Sequence, residues 1–348
     1  MRRPMFTATA ATASTAATVT AAFLALALVS GCATAPDPSA PVAEPDSIID
    51  SSPGQSGPPL PAGAVLNKAG SHVIRDIDTR ELQGSYQPDS KTPAERIPFI
   101  VKRGRLIVGV DQSNNLLSSR DSLTGELQGF EIDLAHELAR DIFGDPNRVD
   151  FRFVTSSERT QALSTGRVDL VIRSMTMTAQ RQKVVEFSLP YLVTQTRLLV
   201  ESSSGITGID DLTGKVACAA SGSTSIELVR RRAPQADILA TSTWGDCLMA
   251  LQQGQVDAVV TDDVLLSGMR EQDPYTQIVG ESISEAAFAV GIRKPDSTFD
   301  SRGLVRQVNS TIERIRSDGT WAQMYDRWFA AFVPLSPLPA PNYREEDQ

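Results

Sequence analysis

Apolar and polar positions fall in blocks along the middle of the chain, and the blocks switch from strand-like to helix-like spacing and back. Arg105 to Val110 (RLIVGV) is a short apolar run of the kind that forms a buried strand. Phe130 to Ile142 (FEIDLAHELARDI) places Ile132, Leu134, Leu138 and Ile142 near one helical face, with Gly144 as a stop. From about Arg105 to Phe329 the alternation of strands and helices predicts an α/β fold with mainly parallel sheets. The ends of the chain lack the pattern. Ala33 to about Gly63 is Pro, Ser, Ala and Gly with scattered Asp, and has too few large apolar groups to offset its ordering entropy, which predicts a flexible tether. Val65 to about Ile97 predicts no clear element, and the tail after Val333 (PLSPLPAPNYREEDQ) reads as disordered.

One segment occurs twice. Ala162 to Val171 (ALSTGRVDLV) matches Ala250 to Val259 (ALQQGQVDAV), and each copy reads as a helix end, a glycine turn and a buried strand. Eight residues after each glycine stands a polar residue, Ser174 in the first copy and Asp262 in the second. Ligands of open α/β sheets bind outside the carboxyl ends of strands, so two similar lobes would aim Ser174 and Asp262 at one cleft. Chance likeness of two strand–helix units is the plainer alternative.

Composition narrows the chemistry. The 348 residues, 41% hydrophobic, suffice for one large domain or two smaller ones. A net charge of −9 without a long basic run argues against nucleic acid as a partner. His72 and His136 are far apart, and with three cysteines they make a poor stock of metal ligands, so neither a metal site nor a cofactor is expected. At the start of the chain, Arg2 and Arg3 precede a short apolar run from Ala21 to Val29, too short to span a bilayer comfortably. The run ends in Val29-Ser30-Gly31-Cys32, which resembles the bacterial lipobox. The resemblance implies a signal peptide over residues 1–31, cut before Cys32, with Cys32 acylated and residues 32–97 a lipidated tether and ill-defined segment. An ordinary secretory peptide cleaved near Ala35 is the alternative. Cys218 and Cys247, in an exported chain, form either a disulfide or two buried thiols.

Gly129-Phe130-Glu131-Ile132-Asp133-Leu134 resembles a signature of the family 3 bacterial solute-binding proteins, the polar amino-acid receptors of ABC importers. The likeness continues through Asp169 to Tyr191 (DLVIRSMTMTAQRQKVVEFSLPY), Lys215 to Ser225 (KVACAASGSTS), Val256 to Asp262 and Gly319-Thr320-Trp321. Within that family the sequence resembles the glutamate-binding lipoproteins of actinobacteria, including those coupled to nutrient sensing. It implies a two-lobed periplasmic-binding-protein fold of type II, with the ligand cleft between lobes joined by a two-segment hinge. The solute-binding domain would span 98–333, with lobe one at 98–193 and 288–333 and lobe two at 194–287, and with 334–348 as the disordered tail. The hinge would lie near Leu192–Val200 and Ala286–Ile292.

The resemblance also implies roles. Arg181 would clamp the ligand's α-carboxylate bidentately, helped by Ser174 and Thr176, and Asp262 would accept from the α-ammonium. Ser223, Thr224 and Ser225 would open a helix running to Ala233 and offer it amide groups. Arg159, in Ser157-Glu158-Arg159, would meet the distal carboxylate of glutamate or aspartate; Arg173 and Arg120 are further cations that either reach the cleft or are solvated. Asp111, Asn114 and Leu117 match contact positions on a lobe-one loop where the family often has an aromatic platform; this chain has none there. Plainer readings make Arg181 a surface helix residue and Asp262 an N-cap, with Asp263 an equally good one. The chain would thus be a monomeric, non-enzymatic lipoprotein on the extracytoplasmic face of the cell membrane, serving an ABC permease or a membrane sensor. The rival is an enzyme on the same scaffold, such as a cyclohexadienyl dehydratase-like lyase, which needs a poised acid or base in the cleft.

Overall fold

The computed structural model describes residues 57–345 apart from 72, 73, 76, 81 and 298; Cys32 and the expected leader lie outside them, as do His72 and residues 346–348. The chain first lays down a short strand, β1 (Val65–Asn67), then two helical turns, α1 (Pro93–Arg96) and α2 (Pro98–Arg103). Lobe one follows: β2 (Leu106–Val110), the small ribbon β3 (Ser113–Asn114), β4 (Ser118–Arg120) and β5 (Leu127–Gln128), α3 (Phe130–Phe143), β6 (Val149–Phe153), α4 (Arg159–Ser164), β7 (Leu170–Val171) and α5 (Ala179–Gln182). A long strand, β8 (Val185–Glu201), carries the chain into lobe two. There it forms β9 (Val216–Ala220), α6 (Ser225–Arg232), β10 (Asp237–Thr241), α7 (Trp244–Gln252), β11 (Ala258–Asp262) and α8 (Asp263–Gln272). A second long strand, β12 (Thr276–Arg293), returns to lobe one, where α9 (Arg302–Ser317) and α10 (Thr320–Trp328) complete it.

The strand order β1-β10-β9-β11-β8-β12-β7-β2-β6 contains the same arrangement twice. In lobe one β2 lies between β6 and β7, parallel to both; in lobe two β9 lies between β10 and β11, again parallel to both. The sequence repeat sits at equivalent places in the two arrangements. Gly166 and Gly254 both adopt left-handed φ values, 69° and 66°, which a residue with a Cβ rarely takes. Three residues on, Asp169 accepts from the Ile107 amide at 2.7 Å, and Asp257 accepts from the Val216 amide at 2.8 Å. Each aspartate thereby satisfies an amide at the start of its lobe's central strand.

Strands β8 and β12 pair antiparallel from Glu201↔Thr276 to Val185↔Arg293, with register shifts after Val279 and on either side of Ala289. They are the two crossings between lobes. The core of lobe one is aromatic: Phe130 packs on Phe329 at 5.3 Å and Tyr191 at 6.3 Å between centroids, and Trp321 Nε1 donates to Tyr191 O at 2.8 Å. In lobe two a disulfide joins Cys218 on β9 to Cys247 on α7, 29 residues apart. Loop closure of that length contributes roughly 3–4 kcal/mol in the chain-entropy model.

The stretch from Val65 to Ile97, where no clear element is expected, and the tail expected to be disordered are both ordered where they are described. β1 adds to the free edge of β10, with Val65 opposite Ala240 and Asn67 opposite Ile238, and Lys68 pairs with Asp237 at 2.7 Å. The chain then passes α6, where Glu227 accepts from the Arg75 amide at 2.9 Å, and reaches lobe one, where Asp78 O accepts from Ala179 N at 2.8 Å. Gln83 and Gln182 exchange hydrogen bonds of 2.9 and 2.8 Å, and buried Ser85 donates to Phe187 O at 2.7 Å. The tail meets it there: Tyr343 bridges to Ser85, and Arg344 donates to Gly84 O at 2.7 Å and pairs with Glu186 at 2.6 Å. Main-chain pairing and polar anchors order these segments, and Tyr86, Leu338 and Tyr343 add apolar contact with the core.

Candidate functional site

The carboxyl ends of the strands converge between the lobes, and the site forms from the loops and helix starts that follow them. Ser174, two residues beyond the end of β7's apolar run, has φ of 39°, an uncommon conformation for a residue with a side chain. It is held there from below. The Glu131 carboxylate, fully buried in the first turn of α3, accepts from the Ser174 amide at 2.6 Å and from the Tyr191 hydroxyl at 2.6 Å. Burial pushes the Glu131 carboxyl up from its ordinary range despite those donors.

Arg159 and Arg181 reach the cleft from lobe one. Arg159 is buried in the first turn of α4; Nε donates to Ser156 O at 2.9 Å, one terminal nitrogen to Arg173 O and Ser174 O at 3.1 Å each, and the other to Gly222 O at 3.2 Å. Four of its five N–H groups are thus engaged. The Thr178 cap of α5 holds the Arg181 amide at 3.1 Å and turns its guanidinium inward, where it donates to Thr176 O at 2.7 Å and Gly222 O at 3.0 Å. Only two of its five N–H groups are engaged, so Arg181 keeps more donors than Arg159 for a further partner. Among the described residues neither arginine forms an ion pair with a carboxylate. Desolvation and the Arg181 charge hold the Arg159 guanidinium well below its ordinary pKa, and desolvation lowers Arg181 to about 10 against the attraction of Asp262.

Asp262 ends β11 on the opposite wall. Its carboxylate accepts from the Thr196 hydroxyl on the crossing strand at 3.2 Å and makes no cap bond to α8. Asp263 binds elsewhere, to the Thr194 hydroxyl and the Gln195 amide. Burial and the neighbouring Asp263 charge push Asp262 up to about 7. Ser223 and Thr224 precede α6, which begins at Ser225, two residues later than the sequence suggests. Thr224 Oγ1 stands 3.5 Å from Thr176 Oγ1 across the cleft, and the Ser223 hydroxyl is buried without a partner.

Eight predicted residues, Arg159, Ser174, Thr176, Arg181, Ser223, Thr224, Ser225 and Asp262, therefore line one gap of about 10 Å3, room for a single water. Others stand apart. Asp111 is fully buried in an ion pair with Arg173 and accepts from Gln112 N at 2.7 Å and Ser113 N at 2.8 Å, so both members of the pair are internal to lobe one. Asn114 is buried outside the gap, its amide nitrogen without a partner, and Leu117 packs in the lobe-one core. Arg120 bonds Gly125 O at the surface. Ser156, Trp244 and Leu265 line the gap without having been singled out. Trp244 supplies an aromatic wall from lobe two, where none was sought. Its place directly after β10, at a strand's carboxyl end, was the available signal.

Two lobes of repeated topology, two crossing strands and a polar cleft between them define a ligand-binding protein of the type II periplasmic class. The chain belongs to the bacterial extracellular solute-binding proteins, family 3, whose model matches residues 106–331. It is similar to the ABC transporter glutamine-binding protein GlnH of Bacillus subtilis, 30% identical over 74% of this chain and 92% of that one. It is also similar to the glutamate/aspartate import solute-binding protein of Escherichia coli, 27% identical over 72% of this chain and 85% of that one. The structure of an ancestral arginine-binding protein bound to glutamine matches with a TM-score of 0.59 and 32% identity, over 65% of this chain and 98% of that one. An amino-acid-binding role in the service of an ABC transporter follows from this kinship.

Proposed function

We propose that this protein binds an acidic amino acid, glutamate or aspartate, between its lobes and is held at the extracytoplasmic face of the cell membrane by Cys32. The observation that carries the reading is the pair Arg159 and Arg181, two cations in the cleft whose partners are main-chain carbonyls alone. A buried charge without a counter-charge is costly, and an anionic ligand supplies one. Both arginines donate to Gly222 O, a lobe-two oxygen. Parting the lobes takes that oxygen away and turns both guanidiniums toward an entering carboxylate.

The charges then balance. Arg181, with its free donors, takes the α-carboxylate; Asp262 takes the α-ammonium; Arg159 faces the distal carboxylate. Glutamate, at −1, complements a site whose ionised Arg159, Arg181 and Asp262 sum to +1. Glutamine would leave that charge uncompensated, and it is the competitor named by the Bacillus relative. Trp244 and Leu265 would pack on the ligand's methylenes. Asp262, near 7, is also what an enzyme would use as a base. In the binding reading the ligand's ammonium ionises it instead, and conversion of no bound amino acid is expected. The closed form docks on an ABC permease or a membrane sensor. Release of the protein from membranes by Cys32→Ser would support the anchor, and retention after a salt wash would refute it.

The experiment that tests the ligand is thermal denaturation against the twenty L-amino acids. A ligand at a hundred times its dissociation constant stabilises by about 2.7 kcal/mol. Glutamate or aspartate should give the largest shift. A larger shift with glutamine would overturn the acidic preference, and no shift with any of the twenty would overturn the amino-acid reading.

A further inference from the structure

Lobe two meets lobe one through glycines, and the closest approach is at Gly268 in the middle of α8. A Cβ built there would lie 2.3 Å from the Asn115 carbonyl oxygen and 2.9 Å from its carbon, both main-chain atoms of lobe one. One turn further along α8, Glu271 accepts a hydrogen bond from the Asn115 side-chain amide. The carbonyl cannot simply swing aside. Asn115 sits in the turn between β3 and β4, next to Leu116 at φ 68°. The carbonyls of Leu116 and Leu117 each accept at 2.9 Å from the first amides of α3, those of Phe130 and Glu131. Leu117 N in turn donates to Asn114 O at 3.2 Å. Gly245 in α7 offers a contrast. It faces the same ribbon, but its Cβ would meet Ser113 Cβ at 3.7 Å, an ordinary contact.

We infer that Gly268, with Asn115 and Glu271, is the latch that sets how fully the lobes close, and thereby the affinity, without touching the ligand. α8 begins immediately after Asp262, so seating Gly268 on Asn115 also seats Asp262 against the arginine wall. A methyl at 268 costs nothing to the helix itself when the lobes stand apart, since alanine is the better helix former. It acts only when they meet, where a packed interface does not deform to accept it. A residue that disfavours the binding-competent state weakens apparent affinity by the loss of that state's population.

The inference rests on the proposed amino-acid binding, and the test separates the two. Spin labels on exposed sites of the two lobes report the closed-distance population with and without L-glutamate and L-glutamine, and calorimetry reports their affinities. Gly268→Ala should fold with an unchanged or higher melting temperature without ligand, lose most of the closed population, and bind at least tenfold more weakly. Gly245→Ala should match the wild type. Glu271→Ala, which removes only the hydrogen bond, should lower the closed population roughly threefold. Full closure and wild-type affinity in Gly268→Ala would overturn the latch, as would equal losses in both glycine variants. Should Gly268→Ala fail to fold, an unchanged population in Glu271→Ala overturns it alone. Should the wild type bind neither amino acid, the functional reading fails while the ligand-free distances still judge the latch.

Discussion

Lobe one contains two groups of charges interleaved in sequence and opposite in character. In its interior, Arg173 and Asp111 form a fully buried ion pair, with Glu131, Tyr191 and the Ser174 amide bonded beside it. At the cleft, Arg159 and Arg181 have carbonyls but no carboxylate. In the first group the protein supplies Arg173 with its counter-charge, and the product is shape: it holds Ser174 at a φ of 39° and fixes the β3 ribbon through Asp111. The second group is left with charge to spare. The contrast suggests how a binding site is told from a buried polar core when both contain arginine. The distinction lies in whether the protein supplies the counter-charge, rather than in burial, since Arg159 is nearly as buried as Arg173.

The comparison breaks most visibly from the interior side. Asp111→Ala strands Arg173 uncompensated in the core and should cost about 3–5 kcal/mol of stability. Any loss of ligand affinity should then follow from loss of folded protein. Denaturant unfolding checks this, and a variant as stable as the wild type would mean that Arg173 does not depend on Asp111 for its counter-charge. From the cleft side the effect is selective. Arg159→Leu should lower the preference for glutamate over glutamine by an order of magnitude or more, about 1.4 kcal/mol per factor of ten. Calorimetry with both ligands decides; equal losses for the two would show that Arg159 serves structure, as Arg173 does.

The smallest effect is on pH. Asp262, raised to about 7, binds a proton more readily in the folded than the unfolded chain. Its contribution to ligand-free stability is therefore present at low pH and lost as pH rises from about 4 through 7. An ammonium partner favours the ionised carboxylate, so ligand affinity should run the other way, falling as pH drops below about 7 by up to tenfold per unit. Asp262→Asn should bind weakly with no such slope. An identical slope in the variant would place the titrating group elsewhere.

Much of this was legible from the chain. The repeat placed Ser174 and Asp262 at strand ends on one cleft, because strand ends are local features, and the family resemblance added Arg159, Thr176, Arg181, Ser223, Thr224 and Ser225 to it. Asp111 and Arg173 were misread because their pairing joins residues 62 apart, and a lone charge beside a motif looks available until its partner is known. Trp244 was missed because the aromatic wall was sought on lobe one, where the resemblance implied it. The order in 57–97 and in the tail was hidden for another reason. β1 is held by the main-chain groups of β10, and pairing of that sort leaves no apolar pattern in the added strand.

The central claim is that Arg181 supplies the counter-charge to a group shared by every amino acid, and Arg181→Ala tests it most directly. Calorimetry of the wild type and the variant with L-glutamate and L-glutamine should show both ligands weakened at least thirty-fold, since a desolvated charge-assisted pair lost from one side costs about 2–5 kcal/mol. The ratio between the two ligands should stay as it was, because their α-carboxylates are alike. A variant that binds either ligand with wild-type affinity would contradict the account and move the site away from the arginine wall.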